Sequence, residues 1–266
     1  MAKGKEGYCH ICGKFGKLSF EHIPPHSMGN DKPTKSYKVA DIAEMNRSLS
    51  LDGRQGLRYH QQQKGIGFQT LCPSCNSYLG KHYVKPYTGC IRELGSIIAS
   101  EKDDPASVGI HLEAHEINIL AFFKHVVSNF CSTTQPNSLL DCKEFLLDCE
   151  SNDFPSRLRL FMFAVPKADA FVSSGWVRLL LNEDGPKVAT LAFIAHYPVG
   201  FYLLDADATT AEIDSRRYGC EITPMARQPW GAKPDFALDL PYMTIDGSIP
   251  VPITPVDARR PFTVAS

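Results

Sequence analysis

A chain of 266 residues with 43% hydrophobic side chains has enough apolar mass for a packed core, which excludes a disordered polymer, and its length suits two small domains. No run of about 18 apolar residues occurs, which excludes a membrane-spanning helix, and the opening MAKGKEGYCH carries charge without the apolar core of a secretory leader. The net charge of -1 conceals a split: residues 1–100 hold 14 Lys and Arg against 7 Asp and Glu, whereas residues 101–266 hold 14 against 22. The expectation is a soluble, cytoplasmic protein whose basic N-terminal part attracts a polyanion.

Residues 7–23 read as a short cysteine-containing turn followed by a strand, KLSFEH. Residues 24–64 are rich in Pro, Gly and polar side chains and read as an irregular segment with one short helix at about 41–48. Lys32, Lys35, Lys38, Arg47, Arg54, Arg58 and Lys64 make it net basic, and a loop this long in a small domain is functional or mobile. GFQTLC reads as a second strand, and CPSCNSYLGKHY opens a helix with Pro73 in its first turn. Pro86 ends or bends that helix, and a second helix covers about 88–100. EKDDPA, residues 101–106, is the linker between domains 1–105 and 106–266.

Beyond the linker, apolar residues at helical spacing predict a helix over 113–131, and SLLDCKEFLLDCE a second one with Ser138 as N-cap. His111, His115 and His125 are assigned to the first helix, where the i, i+4 pair His111/His115 has metal-pair spacing but no acidic partner and reads as packing or surface. RLRLFMFAV, GWVRLLL, KVATLAFIAHY and GFYLLD predict an antiparallel sheet, and the tail from 221 is proline-rich with short extended pieces. The fold class is α+β, and residues 106–266 form an α+β unit of two helices and a sheet that regulates the N-terminal part, docks a protein partner or joins a second copy.

Four of the nine cysteines fall into two pairs, Cys9-x-x-Cys12 and Cys72-x-x-Cys75. Two intervening residues let a turn aim both sulfurs at one ion, and two such turns complete an all-thiolate tetrahedral site of the kind structural zinc takes. Cys90, Cys131, Cys142, Cys149 and Cys220 read as buried thiols, and Trp176 and Trp230 as packing residues. Between the pairs, Glu21-His22 ends the first strand, and Asn76 follows the last cysteine at a helix start. If zinc joins the pairs, these three side chains converge. Glu21 and the Asn76 amide oxygen suit Mg2+ or Mn2+, and His22 is a base that deprotonates a water attacking a phosphodiester, leaving a 5′-phosphate and a 3′-hydroxyl. His10 between the knuckle cysteines reads as exposed, His26 as a surface or phosphate-contacting residue, and His60 as part of a solvated loop.

The string YCHIC, LSFEHIPPHSMGN, FQTLCPSCN resembles the HNH, or ββα-metal, endonucleases, and within them the zinc-clipped branch that includes the phage resolvase endonuclease VII. The resemblance covers about residues 7–85. It implies a zinc held by Cys9, Cys12, Cys72 and Cys75, a catalytic divalent ion held by Glu21 and Asn76, and His22 as general base. Glu21 stands where that branch carries aspartate, the insert before the second knuckle is long, and His82 is a candidate further ligand. The implied substrate is DNA, with RNA as the alternative, and the implied setting a bacterial phage-defence nuclease. The rival reading is a zinc-knuckle module that grips nucleic acid, or an interaction partner, without cutting.

Overall fold

The structure is a computed structural model that describes residues 5–37, 58–100, 108–166, 171–181, 187–213, 218–244 and 251–252. The helix expected at about 41–48 and the linker at 101–106 lie outside the described residues. Among the described residues the chain is α+β. Its strands are β1 (Glu6–Tyr8), β2 (Phe15–Lys17), β3 (Ser19–His22), β4 (Thr34–Ser36), β5 (His60–Gln62), β6 (Gly67–Leu71), β7 (Gly109–Ala114), β8 (Leu158–Ala164), β9 (Val172–Leu181), β10 (Lys187–His196), β11 (Val199–Asp205), β12 (Cys220–Glu221), β13 (Phe236–Pro241), β14 (Met243–Thr244) and β15 (Val251–Pro252). Its α-helices are α1 (Pro73–His82), α2 (Val84–Ser100), α3 (Ile119–Thr133) and α4 (Lys143–Leu147).

The N-terminal strands pair as three antiparallel ribbons, β1 with β2, β3 with β6, and β4 with β5. Residues 24–64 are therefore not wholly irregular: a 3-10 turn at His26–Met28 and the β4–β5 ribbon bracket the stretch outside the described residues. Pro73 opens α1 at a position whose N–H has no helical partner to lose. Pro86 does not end that helix. α1 stops at His82, and Pro86 sits in the first turn of α2, where a proline is tolerated.

The C-terminal part is built on a five-stranded antiparallel sheet in the order β12-β8-β11-β10-β9. Its strands read as near-continuous apolar runs because both faces are covered. Leu160, Met162, Ile194 and Phe201 face the main core, while Phe161, Phe163, Phe193 and Tyr202 alternate onto a second cluster with Tyr218 and Met243. α3 is the hub of the main core. Asn118 caps it by accepting from the Ala121 N–H at 3.1 Å, and every residue from Ile119 to Ser132 is buried. A helix that is apolar on nearly all sides belongs in a protein interior, and α3 packs against α1, α2, α4, β6, β9 and β10.

Two expectations are corrected here. Residues 109–114 form a strand paired with β13, not the start of a helix, so His111 lies on β7 and His115 just beyond it. Ile110, Leu112 and Ala114 point inward, while His111 and His115 point out and bond Asp239 and Asp235 at 2.7 and 2.9 Å. Ser138 is not an N-cap: its hydroxyl donates to the Gln135 carbonyl, and the helix expected there is a 3-10 turn at Leu140–Cys142 running into the short α4. The main core runs unbroken from Cys9 to Tyr242, so residues on both sides of position 105 share it.

Candidate functional site

The β1–β2 hairpin turn carries Cys9 and Cys12, and the start of α1 carries Cys72 and Cys75. The four sulfurs lie within 4.8 Å of one another, the one such group of His, Cys, Asp or Glu among the described residues. The Cys12 and Cys72 sulfurs are 3.8 Å apart, the edge expected of a tetrahedron with zinc–sulfur bonds of about 2.3 Å. Hydrogen bonding favours the thiolate at Cys9, whereas burial pushes Cys12 up and the bond to Cys9 pushes Cys75 up. Cys9 is drawn down to about 4, first by a hydrogen bond from the Cys75 thiol, against the effect of burial, and then by the backbone N–H groups of Cys12, Cys72 and Ile11. The donor set and spacing fit a structural zinc.

The cluster sits where α1 meets β3. The Asn76 amide nitrogen donates to the Ser19 hydroxyl at 3.0 Å and to the Phe20 carbonyl at 3.1 Å. A carbonyl only accepts, so the amide is oriented with its nitrogen on the strand, and Oδ1 has no protein partner among the described residues. β3 and β6 approach closely because Gly67 faces the strand: a Cβ there would lie 2.2 Å from the Glu21 carbonyl and 2.6 Å from the Phe20 ring. Asn30 completes the frame. Its amide exchanges two 2.7 Å hydrogen bonds with the Ile66 backbone and donates to the Pro24 carbonyl at 2.6 Å.

His22 leaves β3 on the open side, partly exposed, with its ring against those of Phe20 and His26 at 4.9 and 5.1 Å. Its Nε2 lies 2.8 Å from the Lys64 carbonyl. Nε2 carries the N–H, since the carbonyl cannot donate, so in the neutral ring it is Nδ1 that has the lone pair. An imidazole held through one nitrogen with the other free is the arrangement a general base needs.

Glu21 leaves the strand on the other face, as successive strand residues do. It is 6% exposed, and its Oε2 accepts from the Ser132 hydroxyl of α3 at 2.6 Å. Burial raises its carboxyl to about 7, the Ser132 bond opposes that rise, and the Cys9 sulfur adds to it. Asn76 bonds β3 at Ser19 and Phe20, and His22 lies partly exposed at the end of that strand, whereas Glu21 faces the interior and joins no cluster of three ligands among the described residues. Asn76 Oδ1 fits an oxygen ligand to Mg2+. The carboxylate half of the expected pair does not fit in this position.

His10 corrects another expectation. It is buried, not exposed, and its Nδ1–H donates to the Cys131 carbonyl at 2.8 Å, tying the first knuckle to α3. His82 packs against Tyr78 and Trp230, with ring centroids at 4.5 and 6.3 Å, as part of an aromatic cluster. Cys90, Cys131 and Cys142 are buried thiols as expected, while Cys149 and Cys220 are half-buried. Lys32, Lys35, Arg58 and Lys64 are on or near the surface, and Lys38, Arg47 and Arg54 lie outside the described residues. Ser132 escaped the sequence reading because it acts from far along the chain, and Lys64 was read only for its charge, whereas its backbone carbonyl is what holds His22. Comparison with models of protein families, with curated proteins and with solved structures found no match to this chain.

No helix among the described residues is long and apolar enough to cross a membrane.

Proposed function

We propose that this chain is a zinc-stabilised, divalent-metal-dependent endonuclease of the HNH type that hydrolyses DNA phosphodiester bonds. The observation that carries the reading is His22: its Nε2–H is committed to the Lys64 carbonyl, and its Nδ1 has no partner among the described residues, on a partly exposed ring of a strand pair that meets a helix beside four clustered cysteines. Nδ1 takes the proton from an attacking water. Asn76 holds β3, and so His22, in register with α1, and Oδ1 of Asn76 is its contribution to a cation. A divalent ion, when bound, offsets charge on the phosphate and on the departing 3′-oxygen. The resemblance names Glu21 as the carboxylate for that ion. Glu21 is instead turned onto the Ser132 hydroxyl in the interior. The basic charge of residues 1–100 suits a nucleic-acid backbone.

The burial of Glu21 favours a second reading, a zinc-knuckle module that binds nucleic acid without cutting it. One experiment separates the two: plasmid cleavage with Mg2+ or Mn2+ by wild type and His22→Ala, with zinc measured on both. Cleavage by wild type, with a loss of at least about a hundredfold in a variant that keeps its zinc, is the expected result. Binding without cleavage in both removes the nuclease reading. A role in phage defence predicts that cells carrying the wild type, and not His22→Ala, restrict phage growth.

A further inference from the structure

Soluble proteins seldom leave large aromatic rings exposed in company. Here Tyr8 and Phe15 are 56% and 63% exposed. They are directly opposed across the β1–β2 hairpin and touch edge to face, with centroids 5.2 Å apart. Their opposite face is closed: Gly7 and Gly16 pair behind them, and a Cβ on Gly7 would touch Leu18 at 3.0 Å. The two rings therefore do not serve the core. Three exposed lysines, Lys5, Lys14 and Lys17, lie within three residues of them along the hairpin, against one acid, Glu6, which is paired with Lys17. A second exposed ring, Tyr59 at 50%, lies beside β5, with the Lys35 ammonium 4.5 Å from its centroid.

Both features are tethered to His22. Phe15 precedes it by seven residues, a reach of at most about 25 Å, and Tyr59 precedes its partner Lys64 by five, at most about 18 Å. One short nucleic-acid segment spans such distances. Exposed rings on a lysine-rich hairpin match a ligand that presents flat π surfaces and regularly spaced negative charge together. Unpaired nucleotides do so, whereas a duplex hides its base faces in the stack. We infer that the β1–β2 hairpin is a stacking platform for unpaired bases, so that the segment presented to His22 is single-stranded or locally opened. The inference rests on the nuclease reading only for the scissile phosphate at His22; the platform itself is a binding site.

The test is fluorescence anisotropy of a labelled oligonucleotide, single-stranded and as its own duplex. The protein is the zinc-loaded full chain without added Mg2+ or Mn2+, titrated with KCl. The expected result is salt-sensitive binding that favours the single strand, weakened roughly ten- to a hundredfold in Tyr8→Ala/Phe15→Ala and retained in Tyr8→Phe. Duplex binding stays unchanged in both variants. Phe15→Leu, which keeps apolar bulk and removes the π face, gives the same loss if the alanine pair disturbs the zinc hairpin. Unchanged single-strand affinity in variants with intact zinc overturns the inference. So does a wild type that self-associates through these rings and separates when they are replaced. A wild type that grips single strands through the rings but cuts nothing keeps the platform and removes the nuclease. One that cuts plasmid while the ring variants bind as tightly as wild type does the reverse.

Discussion

Glu21 holds a carboxyl in the interior with one serine hydroxyl as its hydrogen-bond partner among the described residues, and that sets a pH dependence. Its folded value is about 7 against an ordinary 4.5, so the native state favours the protonated form. The resulting stability is fully present below pH 4.5 and is lost as pH rises through 7, with a total on the order of 3 kcal/mol. Glu21→Gln keeps a polar group at Ser132 without ionising, so urea midpoints of that variant should stay level between pH 5 and 8 relative to a falling wild type. Equal slopes would show that Glu21 is solvated. His125 carries the opposite sign. Both its ring nitrogens are buried without partners, and burial lowers its value to about 3. The unfolded chain binds that proton first, so stability falls as pH drops from about 6.5 toward 3. His125→Leu is expected to gain about 1–2 kcal/mol at pH 7 by removing unpaired polar atoms, with the advantage over wild type widening in acid. Thermal melts at pH 7 and 5 check both the gain and its growth.

At the level of elements, α1 depends on its clip. Four ligands from two distant segments meet only if hairpin and helix are already docked, so ion binding and local folding are linked. Cys72→Ser, or a strong chelator, is expected to cost several kcal/mol, a fall of about 10 °C or more in Tm, read beside one zinc per chain by elemental analysis. α1 was legible because Pro73 and the cysteine spacing are local signals, and the strands β8, β10 and β11 because long apolar runs are. β7 was not. The apolar spacing around Ile117–Phe130 is helical, and it drew residues 113–115, and His111 with them, into the same element. The period-2 alternation of Ile110, Leu112 and Ala114 was present all along, but its partner β13 lies more than a hundred residues away. His22 and Asn76 stood out through their place in a pattern. What the pattern did not carry was facing: a one-residue step along β3 separates an accessible imidazole from a buried carboxyl, and α3, remote in sequence, decides which side is covered.

The whole molecule is held together across the boundary at 105. His10 bonds Cys131, Glu21 bonds Ser132, and the Tyr83 hydroxyl donates to the Leu146 carbonyl at 2.8 Å. Cys9, Ile11, Leu79 and Tyr83 belong to the same core as α3 and the sheet. Residues 1–105 produced alone are therefore expected to show no cooperative melt even with zinc, because their core partners are missing, whereas the full chain unfolds in a single transition. A sharp melt of that fragment with one bound zinc would refute this.

The arrangement also has an order in time. All four knuckle thiols have been synthesised once Cys75 is made, but Cys131 and Ser132, which close over His10 and Glu21, follow 56 and 57 residues later. At ribosomal speeds of about 5–20 residues per second, that is an interval of roughly 3–11 s. During it, two pairs of thiols wait beside an unfinished interior, and metal capture must compete with oxidation until α3 arrives to seal them.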